Sequence, residues 1–113
     1  MHTKQECTES IRPVRDVLEI INGKWKLPIL IALAFGPKRF GELERDIAGI
    51  TPKMLVKELR DLELHGMVDR NEVSTSAVSV EYSLTDYGKS LDQVISTLRQ
   101  WGTRHREKIF SHK

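Results

Sequence analysis

Residues 51–66 read Thr51-Pro52-Lys53-Met54-Leu55-Val56-Lys57-Glu58-Leu59-Arg60-Asp61-Leu62-Glu63-Leu64-His65-Gly66. A hydroxyl residue followed by proline is a strong helix start. The Thr51 side chain can cap a free backbone N–H, and Pro52 gives up no hydrogen bond at the first helical position. Gly66 supplies the stop. At about 100° per residue, Leu55, Leu59 and Leu62 fall on one side, while Lys53, Lys57 and Arg60 gather on the opposite side. One face is built to lock into a core, and the other presents three cations in a row.

Working outward, Ala48-Gly49-Ile50 forms the turn before this helix, and Phe40, Leu43 and Ile47 face one way in a short helix over about 40–47. Lys38 and Arg39 lead into that short helix. Gly36-Pro37 ends another helix over about 24–35, with Pro28 near its first turn, where a missing N–H costs little. Pro13 also fits a first helical position. Val14, Val17, Leu18 and Ile21 follow at three- and four-residue spacing, which predicts a first helix over 13–22 closed by Asn22-Gly23. Downstream of Gly66 the period changes to two. Val78, Val80, Tyr82 and Leu84 alternate with Ser79, Glu81 and Ser83, marking a half-buried strand, with residues 67–73 as its hairpin partner. Thr85 then caps a long last helix carrying Leu91, Val94, Ile95, Leu98, Trp101 and Ile109 as one apolar stripe. The pattern is mainly α with a small β-hairpin wing: a winged helix-turn-helix with an extra helix behind it.

Length and composition narrow the classes. The 113 residues suffice for one compact domain spanning 1–113, with 39% hydrophobic and 30% charged residues. A core this small favours a shared one, so a homodimer is expected. The net charge of +2 permits nucleic-acid binding without demanding it. A single cysteine, Cys7, excludes an intrachain disulfide and any C-x-x-C redox or zinc arrangement. Residues 1–7 are polar and lack the apolar core of a signal peptide, and the run from Leu27 to Phe35 is far short of the roughly 20 residues that cross a bilayer. A cytoplasmic protein with no membrane partner is expected. His2, His65, His105 and His112 are dispersed, and no nucleophile–base pair or phosphate-cradling loop is recognisable. His105 and His112 could share a helix face and hold a metal, but scattered histidines are ordinarily surface residues. No enzyme, cofactor or metal site is expected.

A helix bearing Lys53, Lys57 and Arg60, set after a tight turn and a short helix, has the geometry of a recognition helix for the major groove of double-stranded DNA. Arg60 or Lys57 could read guanine O6/N7, and Lys53 sits better for a phosphate. Thr51 and the first-turn N–H groups offer a further anion site. Lys38 and Arg39 either clamp a phosphate at the groove edge or solubilise a loop. Three cations on a helix are also what a merely solvated face looks like, and between Lys24 and Arg70 nine basic side chains face seven acidic ones. Charge alone leaves the choice open. Trp25, beside Leu27, Ile29 and Leu30, reads as a core anchor rather than a stacking platform.

Several segments together resemble one known family. Gly23-Lys24-Trp25-Lys26, Gly36-Pro37-Lys38-Arg39-Phe40-Gly41-Glu42-Leu43, Gly49-Ile50-Thr51-Pro52-Lys53-Met54-Leu55, Leu59-Arg60-Asp61-Leu62-Glu63 with Gly66, Val80-Glu81-Tyr82-Ser83-Leu84-Thr85-Asp86-Tyr87-Gly88, and Trp101-Gly102 follow in order. With Cys7 ahead of the first helix, they are similar to the HxlR-type winged-helix transcriptional regulators of bacteria. The resemblance spans about residues 7–102, leaving 103–113 as the end of the last helix and a tail. It implies a dimeric DNA-binding repressor or activator, often of stress operons, with dimer contacts from the first and last helices and a wing beside the DNA. It also implies that an N-terminal cysteine can sense electrophiles or oxidants.

Two departures from the family pattern stand out. The wing tip, Ser74 to Ser79, carries no charge, which restricts any wing contact to hydroxyl–phosphate hydrogen bonds. There is no second cysteine to pair with Cys7 in another subunit. For the dimer, Leu91, Val94, Leu98 and Trp101 form a stripe longer than a 113-residue core can cover, and Val17 and Ile21 are the partners expected from the first helix. Cys7 is either a small semi-buried residue or a sensor thiol near the positive end of that helix, with Arg12 and Arg15 close in sequence. The competing reading is a winged-helix module that docks protein through its last helix without reading DNA. The operator, the regulated genes and any small-molecule inducer are not written in these residues.

Overall fold

The computed structural model describes residues 3–74 and 78–111. Its first helix, α1, runs Lys4–Ile21 and starts on a capping box: the Thr3 hydroxyl accepts from the Glu6 N–H at 3.1 Å, and the Glu6 carboxylate accepts from the Thr3 N–H at 3.3 Å. The helix therefore begins at Lys4 rather than at Pro13, which lies inside it on an exposed position. Cys7 is accordingly within the first turns of α1, not ahead of it. The second helix, α2, covers Lys26–Leu33 and buries Ile29, Leu30 and Leu33.

Lys38–Arg39 is a two-residue strand, β1, rather than a plain lead-in. It pairs antiparallel with β3 (Val78–Leu84), placing Lys38 opposite Tyr82 and Arg39 opposite Glu81. On its other side β3 pairs with β2 (Val68–Ser74), from Val68 opposite Leu84 to Ser74 opposite Val78. The expected hairpin is thus two strands of a small three-stranded antiparallel sheet, ordered β1-β3-β2. The wing-tip residues Thr75, Ser76 and Ala77 lie outside the described residues.

Between β1 and β2 sit α3 (Phe40–Asp46) and α4 (Pro52–Leu64), joined through Gly49, whose φ of +87° is a backbone state that L side chains rarely adopt. Leu43 from α3 and Leu55, Leu59 and Leu62 from α4 are at most 1% exposed and meet Ile29, Leu30, Met67 and Val68 in one core. Each such fully buried aliphatic side chain stabilises the fold by about 1.5–3 kcal/mol.

The last helix is interrupted. Thr85 caps a short helix, α5 (Asp86–Lys89), accepting from the Gly88 N–H at 2.8 Å and donating to the Gly66 carbonyl at 2.6 Å. A turn at Ser90-Leu91 follows, with the Leu91 N–H on the Gly88 carbonyl, and then α6 runs Asp92–Phe110. Within α5, Gly88 sits against Met67, the residue just ahead of β2, where a Cβ would lie 2.1 Å from the Met67 carbonyl oxygen. Among the described residues, Ile21 is the buried residue of α1 and Ile95 that of α6, so both long helices touch the body over a fraction of their length. No described helix is long and apolar enough to cross a membrane.

Candidate nucleic-acid interface

The site is built on α4. Thr51 caps it as the sequence implies, its hydroxyl accepting from the Met54 N–H at 3.2 Å, and the Leu55 N–H bonds the Thr51 carbonyl at 2.9 Å. Pro52 has no N–H, so Lys53 carries the first-turn N–H that the helix itself does not use. The anion-attracting end of the helix is therefore one backbone donor plus the Lys53 ammonium, less than the open first turn expected from the sequence.

With Leu55, Leu59 and Leu62 fixed in the core, Lys53, Lys57 and Arg60 are all exposed on the opposite side. The acidic residues of the same helix do not spread evenly around it. Glu58 is 5% exposed and turns inward, where the Lys26 Nζ of α2 donates to its two carboxylate oxygens at 3.3 and 3.4 Å. Asp61 lies 3.4 Å from the same Nζ, and Asn22 Oδ1 accepts from it at 3.3 Å. Lys26, itself 5% exposed, thus gathers two carboxylates and an amide oxygen beneath α4. Nothing local in the sequence pointed to it, since Glu58 lies 32 residues away. Its consequence for the outer face is direct: two of the three acidic side chains of this helix are engaged with Lys26, and the outward stripe keeps its positive sign.

The other candidates sort differently. Lys38 is half-buried and ion-paired with Asp46, so its ammonium is committed within the protein. Arg39 is exposed, and its N–H donates to Glu42 Oε1 at 2.9 Å, opening α3. Trp25 packs against the core with the Lys24 ammonium 4.8 Å from its ring centroid, in keeping with an anchor. On the wing, Ser79 Oγ donates to the Val73 carbonyl at 3.1 Å.

Away from α4, two exposed apolar stripes run along the long helices. On α6, Val94, Leu98 and Trp101 continue through Ile109 at helical spacing, and His105 stacks on Trp101 with ring centroids 5.1 Å apart. On α1 the exposed stripe is Ile11, Val14 and Leu18, with exposed Cys7 one turn before Ile11. Val17 and Leu91, expected among the pairing residues, pack partly on the monomer's own core, and Ile21 is 7% exposed within it. The capping box at Thr3-x-x-Glu6 would have revealed the longer α1 and hence Ile11. Arg12 and Arg15 line a shallow hollow with Thr8 and Ile11, to which Cys7 does not contribute. Among the described residues no group of three or more His, Cys, Asp or Glu side chains could hold a metal ion, and His112 lies outside them.

A family model described as HxlR-like helix-turn-helix matches residues 20–110. The HTH-type transcriptional regulator YtcD of Bacillus subtilis is 41% identical over 97 residues, covering 86% of this chain and 77% of the relative. Among solved structures, the redox regulator HypR in its reduced form superposes with a TM-score of 0.81 at 37% identity, over 88% of this chain and 99% of that one. The reduced transcriptional regulator YodB of Bacillus subtilis gives 0.73 at 29% identity, over 89% and 91%.

Proposed function

Since the chain belongs to the HxlR-like helix-turn-helix family, whose relatives are DNA-binding transcriptional regulators and not enzymes, we propose that it reads a specific duplex DNA sequence as a homodimer. The carrying observation is the division of labour on α4: Leu55, Glu58, Leu59 and Leu62 face inward, while Lys53, Lys57 and Arg60 stand exposed with Glu58 and Asp61 drawn away from them. A helix with that outer face enters the major groove with long cations toward phosphates and guanine edges. In this reading Thr51 and Arg39 flank the groove, and Lys38 acts through Asp46 by holding α3 to β1.

The dimer reading rests on α1 and α6. A compact chain of this length has a radius of gyration of about 13 Å, against 17.2 Å observed. The difference comes from helices that leave Ile11, Val14 and Leu18, and Val94, Leu98, Trp101 and Ile109, facing solvent. A second copy covering those stripes would place two α4 helices on successive major grooves, about 34 Å apart. Cys7, on the α1 stripe, would then lie at the subunit boundary, where an alkyl adduct, a mixed disulfide or a Cys7–Cys7 bridge alters the pairing. The relation to the redox regulator HypR supports that reading.

The deciding experiment is retention of duplexes from a random pool by the purified protein, followed by titration of the winner across a salt series. One enriched motif with a steep loss of affinity in salt is expected, because phosphate contacts release counterions. Retention with no enriched motif would favour the protein-docking alternative.

A further inference from the structure

Val56 shares the outer face of α4 with the three cations, at spacings of three, one and four from Lys53, Lys57 and Arg60, and it is 40% exposed. Side chains three and four apart on a helix are surface neighbours. Its neighbours can all reach phosphates or base acceptors; a valine can do neither. It is short, β-branched and nearly fixed at χ1 in a helix, with no donor or acceptor. Leu64 is also exposed and lies in line with the cationic stripe, but at the last turn of the helix, one turn past Arg60.

We propose that Val56 is a specificity-determining residue, reading the 5-methyl group of a thymine in the major groove. This rests on the DNA-binding reading above. The chemistry is selective because thymine C5-methyl is the one apolar group that a base pair displays in that groove. Three features of α4 favour this placement. The leucines at 55, 59 and 62 fix the helix's rotation. Lys53 and Arg60 bracket position 56, so phosphate and guanine contacts on either side hold its methyls over the base edges between. Side chains one helical turn apart on a groove-bound helix reach neighbouring base pairs, so the thymine adjoins the pair contacted by Arg60.

The test uses the duplex enriched from the random pool, with each thymine replaced in turn by deoxyuridine, which keeps its pairing and loses only the methyl. Wild type is expected to bind about fourfold more weakly at one thymine per half-site, the equivalent of about 0.8 kcal/mol for one buried carbon. Val56→Ala, on an exposed helical site, should bind the thymine duplex with a similar loss and no longer distinguish thymine from deoxyuridine there. Arg60→Ala should keep the distinction. Wild type tolerating deoxyuridine at every position, or Val56→Ala retaining the same sensitivity, overturns the assignment. Failure to enrich any duplex overturns the DNA-binding reading itself, and the assignment falls with it.

Discussion

Replacing Lys26 by Met tests what holds α4 in place. Methionine keeps the length and most of the volume of the lysine stem but removes the cation that Glu58 and Asp61 share. Glu58, 5% exposed, is then a buried carboxylate facing no positive charge among its described partners. Breaking a buried pair from one side costs about 3–5 kcal/mol. The partial exposure of the Asp61 side chain, 39%, confines that cost to Glu58. The reverse substitution is milder. Glu58→Gln leaves Lys26 with Asp61, Asn22 and an amide oxygen that still accepts, so about 1–2 kcal/mol is expected. Lys26→Met combined with Glu58→Leu removes both charges together and should cost less than Lys26→Met alone. Urea unfolding at one fixed protein concentration measures all three, since association of a second copy would couple stability to concentration. A loss below about 1 kcal/mol in Lys26→Met, or a double variant no more stable than Lys26→Met alone, would refute the reasoning.

Four further outcomes are expected. Gly88→Ala drives a methyl into the Met67 carbonyl and should destabilise by about 1–3 kcal/mol or more, read by the same urea titration; an unchanged midpoint would mean that α5 lifts off freely. Leu98→Glu puts a charge into the α6 stripe and should shift sedimentation at micromolar concentration to a 13.0 kDa monomer without changing helical content. Arg60→Ala should relax selectivity at one base pair at a cost of about 1–3 kcal/mol per half-site, whereas Lys53→Ala should weaken binding to all sequences and flatten the salt dependence. Treating wild type and Cys7→Ser with a quinone or diamide should lower DNA affinity in wild type alone; an equal response in both places the signal elsewhere.

What could be read from the residues follows how local each signal is. The α4 helix was legible to its ends because its cap, its proline, its leucine spacing and its terminal glycine all lie within the same stretch. The start of α1 was misplaced because a proline at an exposed position inside a helix looks like a proline at its beginning; the true start, Thr3 with Glu6, uses two polar residues at the edge of the chain. β1 exists only by pairing with β3, so two basic residues after Gly36-Pro37 carried no strand signal of their own. The close seat of Gly88 on the Met67 carbonyl, in the short helix before the break, is a contact between segments far apart in sequence and leaves no local signal. Lys26 hid among apolar neighbours for the same reason, its partners being supplied by α4.

The seat of Gly88 on Met67 is a joint without a cushion. Backbone rests on backbone at this point, and Thr85 bolts the same corner to Gly66, so the contact itself has no side chain to compress; Leu91 and Ile95, further along, are the side chains that pack on the core. From that corner the 19 residues of α6 reach about 28 Å outward. A tilt of about 5° at the corner swings the far end by about 2.5 Å, comparable to the 3.4 Å rise of one base step. If two copies pair along this lever as proposed, the stiffness of that corner would limit the tolerance for half-site spacing, and a single base pair inserted between half-sites would have to be absorbed largely by twisting the DNA.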